Sequence, residues 1–255
     1  MMQKNEFPIL EFDTNPVAKI NPEQLCGGEK WPENKLIITF FPEALQKLKE
    51  EKVIEFAYHI GGENPFDIYR FVQSPDVLIV LGQVGCPACA GNLDAFNGFG
   101  INKVMFCGGG GVLDRNIQVG QLLLVDGAIR DEGFSYHYIE PSRFIYTKKE
   151  TTDKLASYMD AHKVPYMRGL VWTTDAMLRE TADRIEKRKA EGAKIVEMEQ
   201  SGCIAVAQFR GFDYGAIIYG GDDVSSTEWD NRGWMNRHGI RYNLIMLCLE
   251  LVKEM

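Results

Sequence analysis

Three short segments carry residue types that can act on a small polar ligand. The first is Cys107-Gly108-Gly109-Gly110-Gly111, a glycine run directly after an apolar stretch. Without Cβ atoms, such a backbone can approach a ligand closely and turn N–H groups towards an anion or a planar ring. A tight turn is the competing explanation. The second is Glu197-Met198-Glu199, at the start of an apolar helical pattern. A carboxylate that accepts from two vicinal hydroxyls is a natural sugar clamp, each charge-assisted bond contributing roughly 1.5–3 kcal/mol. Two solvated acids at a helix N-terminus would read the same way. The third is Gly220-Gly221-Asp222-Asp223, after another apolar run. Adjacent carboxylates disfavour joint ionisation, so one of them is expected to keep a proton near neutral pH and act as a general acid. The alternative is a helix cap before Ser225.

Two further segments are weaker. Cys86-Pro87-Ala88-Cys89 has redox-type spacing, but no second cysteine pair or suitably spaced histidine accompanies it. Close packing of a helix on a sheet is the expected role, with no metal. Ile129-Arg130-Asp131-Glu132-Gly133, running on to Ser135-Tyr136-His137-Tyr138, mixes aromatics and charges as a pocket wall would.

The elements that must position these residues follow from hydrophobic periodicity. Short apolar runs at 36–41, 77–82, 103–107, 122–125, 169–173 and 214–219 read as strands buried on both faces. Helical patterns fall between them, at about 42–51, 87–97, 152–162, 175–191, 201–210 and 237–254, with Gly192 and Gly211 as stops. Ser225 followed by Glu228 has the form of a capping box. Strands alternating with helices predict one α/β domain over 1–255, with sites at the C-terminal ends of strands. Residues 1–34, with several prolines and little periodicity, read as an extended arm across this chain or a neighbour.

Composition narrows the function classes. The 255 residues are 45% hydrophobic and 25% charged, as in ordinary globular proteins. A net charge of −8 disfavours a broad nucleic-acid-binding face. No apolar stretch is long enough for a transmembrane helix, and the N-terminus has no signal-peptide h-region. Six cysteines in such a chain predict free thiols in a reducing compartment, the cytoplasm.

In order and spacing, these segments resemble the nucleoside phosphorylase family that includes bacterial purine nucleoside and uridine phosphorylases. The resemblance runs from about Lys35 to the C-terminus and rests most on Ile195-Val196-Glu197-Met198-Glu199, then residues 205–207 and Arg210-Gly211. Trp172-Thr173-Thr174-Asp175 resembles the segment bordering the base site. The resemblance implies a single-domain three-layer α/β/α fold with a twisted, partly barrel-like mixed sheet. It implies a homo-oligomer with sites near subunit interfaces, and inorganic phosphate as co-substrate without any other cofactor. Glu199 would hold the ribose 2′- and 3′-hydroxyls, with Glu197 beside it, and Met198 would pack on the sugar. Asp223 would protonate a departing purine. Gly109 and Gly110 would contact phosphate and base, and Met177, Val196 and Thr173 would line the base pocket.

The sequence departs from that family at the phosphate. Phe106 stands where an arginine usually precedes the glycine run, and Phe40-Phe41-Pro42-Glu43-Ala44-Leu45 replaces a Gly-Asp-Pro-x-x-Arg-like turn. Arg70 and Arg130 are the candidates to replace the lost guanidinium groups. The expected activity is phosphorolysis of a nucleoside, purine in preference to pyrimidine. The alternatives are hydrolysis, with Glu43 near the attacking water, and a nucleoside-binding protein without turnover.

Overall fold

The computed structural model describes residues 4–62 and 65–255. In chain order its elements are α1 (Pro22–Leu25), β1 (Lys35–Thr39), α2 (Pro42–Glu50), β2 (Ile54–Ile60), β3 (Phe66–Phe71), β4 (Ser74–Leu81), α3 (Cys86–Gly98) and β5 (Lys103–Val112). There follow β6 (Leu122–Asp131), β7 (Phe144–Tyr146), α4 (Lys149–Ala161), β8 (Tyr166–Thr174), α5 (Ala182–Ala190), β9 (Ala193–Glu197), α6 (Gln200–Arg210), β10 (Asp213–Asp223) and α7 (His238–Leu251).

The strands form one mixed sheet. The order β10-β6-β8-β9-β5 closes on itself because β10 also pairs with β5, so five strands make a barrel. From β5 the sheet runs on outward through β1, β4, β3 and β2. Alternation along the strands explains the two helical layers. Leu36, Ile38, Leu78 and Val80 face the core shared with α3 and α6. Ile37, Val77 and Ile79 face the core shared with α2, α4 and α7. Strands covered on both sides must be apolar at nearly every position, which is why 36–38 and 77–80 read as continuous runs.

The three-layer α/β/α architecture with a partly barrel-like sheet is therefore the one the sequence implied. β2 and β3 carry no such run. They form the antiparallel outer part of the sheet, and the exposed positions of β2 interrupt its apolar pattern. The predicted helix at 175–191 is also shorter. A single 3-10 turn, Met177–Arg179, precedes α5, whose N-cap is Thr181. Helix α6 ends at Gly211, where φ is +75°, a left-handed value that glycine adopts without strain. Among the described residues before β1, the segment at Trp31 packs on its own chain. Trp31 stacks between Tyr58 and Phe99, with ring centroids 4.3 and 4.1 Å away.

The glycine run lies in the second half of β5, inside a strand rather than in a loop after one, and none of its residues has positive φ. What the glycines supply is the absence of side chains. A Cβ on Gly109 would lie 2.8 Å from the Tyr219 ring, and one on Gly110 would lie 2.5 Å from the Val196 carbonyl oxygen. Gly110→Ala is therefore expected to cost about 1–3 kcal/mol by overpacking, measured by denaturant unfolding. A loss under about 0.5 kcal/mol would show that β9 can retreat freely.

Candidate active site

On one side β5 pairs with β10 without a break from Lys103 to Gly110. On the other it pairs with β1 as far as Cys107, and with β9 only from Gly111 onward. The two neighbours diverge and leave the edge of Gly108–Gly110 open. Within β5 beyond Lys103, Gly109 and Gly110 alone keep partial exposure. Diverging strands are where α/β sheets bind ligands.

Glu197 ends β9 and Glu199 is the N-cap residue of α6. Both carboxylates are buried. Glu197 accepts from the Thr173 hydroxyl, the Glu199 N–H at 2.6 Å and the Gln200 N–H at 2.8 Å. Glu199 accepts at 2.8 Å from the N–H of Gly85, the N-cap residue of α3. Gly85 has φ +94°, so only glycine turns this amide inward without strain. Glu199 thus sits between two helix N-termini, where the dipoles favour a negative charge. Burial nonetheless pushes Glu199 up to about 7. Burial and then the Glu199 charge push Glu197 up to about 8. Met198, between them, is half-buried.

These shifts make stability depend on pH. In the unfolded chain both groups ionise near 4.5; in the fold they keep protons up to about 7 and 8. Across that window the folded state binds more protons, so stability falls as pH rises from about 5 to about 8 and then levels. Denaturant unfolding across this range should show the decline, and Glu197→Gln should flatten it. An unchanged slope in the variant would mean that Glu197 is ionised throughout.

Asp223 ends β10 and is buried. Its register partner on β5 is Val112, while Val196 of β9 is paired with Gly111. The acid-bearing ends of β9 and β10 therefore flank neighbouring rungs of the same strand. The Asp223 carboxylate accepts from the Ser225 N–H at 2.8 Å, the Ser225 hydroxyl at 2.6 Å and the Ser226 hydroxyl at 2.9 Å. Burial alone would raise it, but these donors and the nearby Arg232 charge outweigh burial and hold it below the ordinary aspartate value. This corrects the expected proton sharing at Asp222-Asp223, as Asp223 rests ionised. It also removes the predicted capping box: residues 224–229 form no helix, and Ser225 caps the carboxylate instead. The Ser-Ser pair after Asp223 was the available signal, since hydroxyls near an aspartate bond to it locally.

The other predicted residues fall in different places. Thr173 is fully buried, donating to Glu197 and accepting at 3.0 Å from the Ser201 N–H. Val196 packs its side chain into the core under α5 beside Trp172 and Ile185. Met177 lies on the 3-10 turn at the surface, 60% exposed. Glu180, just after that turn, went unnoticed in the sequence. Burial and the Asp222 charge push it up to about 7, which ties this segment to the Asp223 loop. Cys86 and Cys89 are buried free thiols. The Cys86 thiol donates to the Glu199 carbonyl, and the Cys89 sulfur lies 3.8 Å from that of Cys203. Burial pushes Cys86 well above the ordinary thiol value, as expected of a packing residue.

Both candidate arginines are largely engaged elsewhere. Arg70, on β3, is paired with Glu33 and Glu55. Arg130 donates to Ser135, Ser142 and the carbonyls of Ile139 and Glu140. Glu43 opens α2 and accepts at 2.7 Å from Arg241, which also donates at 3.0 Å to the Tyr219 hydroxyl behind Gly109. Burial would raise Glu43, but Arg241 and His238 outweigh it and lower it.

Solved structures share this fold. The uridine phosphorylase of Vibrio fischeri ES114 superposes with a TM-score of 0.72 at 18% identity, covering 89% of this chain and 98% of that one. A futalosine hydrolase mutant of Helicobacter pylori strain 26695 gives 0.68 at 17%, covering 89% and 100%. The AMP nucleosidase of Bacteroides thetaiotaomicron VPI-5482 gives 0.67 at 20%, covering 87% and 89%. In sequence, the guanosine phosphorylase of Halorubrum lacusprofundi is 23% identical over 142 residues, 56% of this chain and 59% of that protein. The aligned stretch thus spans little more than half of that relative. The family described as Phosphorylase superfamily matches residues 35–238, and the chain belongs to it.

Proposed function

We propose that this protein cleaves the N-glycosidic bond of a purine nucleoside by phosphorolysis, giving free base and ribose 1-phosphate. The observation that supports the reading is that β9, which leads into Glu199, and β10, which ends in Asp223, pair with neighbouring rungs of β5 just beyond the open edge of Gly108–Gly110. As the C1′–N9 bond breaks, its electron pair leaves with the purine and C1′ becomes oxocarbenium-like. Glu199, once ionised, accepts from the ribose 2′- and 3′-hydroxyls and faces the developing positive charge. Asp223 is ionised at rest, so the proton that neutralises the departing ring comes from solvent and is shared between Asp223 and N7. A phosphate oxygen then bonds to C1′, with phosphate held against the amides of the glycine run. A sequence relative that is a guanosine phosphorylase supports the choice of purine and of phosphorolysis.

The engagement of Arg70 and Arg130 favours a second reading, in which water replaces phosphate. A phosphate dianion without a guanidinium partner loses its strongest contact. Under that reading Glu43 would lie near the attacking water.

Incubation with purine and pyrimidine nucleosides, with and without phosphate, separates the readings. Base release that requires phosphate is expected. Release that ignores phosphate establishes hydrolysis, and binding without release overturns both. The resemblance also implies a homo-oligomer, in which a partner would cover exposed apolar residues such as Met177, Leu178 and Trp229.

A further inference from the structure

Arg130 is a buried cation, 4% exposed, and it is absent from the ion pairs formed among the described residues. Its nitrogens donate to neutral oxygens: the Ser135 hydroxyl at 2.8 Å, the Ser142 hydroxyl at 2.8 Å, and the carbonyls of Glu140 at 2.7 Å and Ile139 at 3.1 Å. The nearby Glu132 carboxylate takes the Ser135 N–H and O–H, so it makes no direct hydrogen bond to Arg130 and acts on it through space. Other arginines in this region are neutralised directly. Arg188 donates at 2.9 Å to Asp131, which also accepts from the Trp172 indole at 3.0 Å, and Arg143 is held by Glu191.

This guanidinium, with no carboxylate in contact, lines a cleft of about 380 Å³ at the end of β6, together with Arg143 and the paired Asp131 and Arg188. That volume lies in the range that holds a small organic ligand. Leu10 from the N-terminal arm, Ile129 and Pro141 supply apolar walls. The Tyr136 ring lies 4.2 Å from the Arg130 guanidinium carbon, adding a flat surface. None of Gly108–Gly111, Glu199 or Asp223 lines the cleft. Burying a charge without a counter-charge is costly, and an anion in the cleft would remove that cost.

We propose that this cleft is a second ligand site, taking a small organic oxyanion, a carboxylate or a phosphate ester, carried on a flat apolar body. Arg130 supplies the charge and the one Nη2 hydrogen that its four hydrogen bonds leave over. The exposed guanidinium of Arg143, whose Nε and Nη2 both go to one Glu191 oxygen, has Nη1 left for the same anion. The site operates in a protein of net charge −8, so the arginines are a local exception to a repulsive surface.

Benzoate and phenyl phosphate share the flat body and differ in the anion. Isothermal titration of the whole protein with each tests the site and identifies the preferred group. Saturable one-to-one binding of at least one probe is expected, weakened at least about tenfold in Arg130→Met. Leu10→Trp, on the half-exposed arm, fills the cleft without touching the core and should weaken binding similarly. Glu199→Gln should leave it unchanged. Absence of saturable binding by both probes up to about 10 mM overturns the proposal. So does binding that Glu199→Gln abolishes and Leu10→Trp preserves, which would locate the probe at the glycine run.

Discussion

Asp223→Asn is expected to lower kcat on purine nucleosides by about 10²–10⁴-fold while leaving KM nearly unchanged. The substitution keeps the side chain's shape and one oxygen for the Ser225 N–H, so the 223–226 turn should persist. What it removes is the negative charge that stabilises a protonated N7 as the base departs. That charge matters most in the transition state, where the ring takes up the bonding electrons, so the loss falls on turnover and not on ground-state binding. Steady-state kinetics on inosine, guanosine and adenosine measures it, with circular dichroism as a check on folding. Turnover within about threefold of wild type would remove Asp223 from the chemistry.

Glu199→Gln should cost ribosides roughly 10–100-fold in kcat/KM, and 2′-deoxyribosides clearly less. Two vicinal hydroxyls can donate to the two oxygens of one carboxylate, whereas a deoxyriboside offers a single donor. Losing charge assistance on each bond therefore weighs more on the diol. Burial pushes Glu199 up to about 7, so the clamp is half-protonated at neutral pH. Wild-type KM for ribosides should accordingly rise as pH falls below about 7, and the variant's KM should stay flat over that range. Equal losses for the two sugars, or parallel pH profiles, would count against the diol clamp.

Much of this architecture was legible in the residues. Runs such as 36–38 and 77–80 can be continuously apolar only in strands covered on both faces, and these strands do lie between two helical layers. The resemblance carried by residues 195–199 implied the partly closed barrel, which periodicity alone does not contain. β2 and β3 were hidden because much of β2 faces solvent, which breaks up the apolar pattern. The start of α5 was misplaced by several residues because a 3-10 turn has nearly the helical period.

The candidate site divides in the same way. Local pattern put Asp223 at the end of a strand and Glu197 and Glu199 at the start of a helix, and the resemblance implied that they serve one site with the glycine run; strand β9, which ends at Glu197, was not legible. Only the tertiary structure decided the charge of each. Glu199 is raised because burial outweighs the N–H groups it accepts from, whereas Asp223 is lowered because three donors from its own turn enclose it. Protonation depends on what surrounds a group in space, and neighbours in sequence are a poor guide to that. For the same reason Arg130 could be noticed from its type and segment alone, while its burial without a carboxylate partner became visible only once β6 and the residues leading into β7 were folded around it.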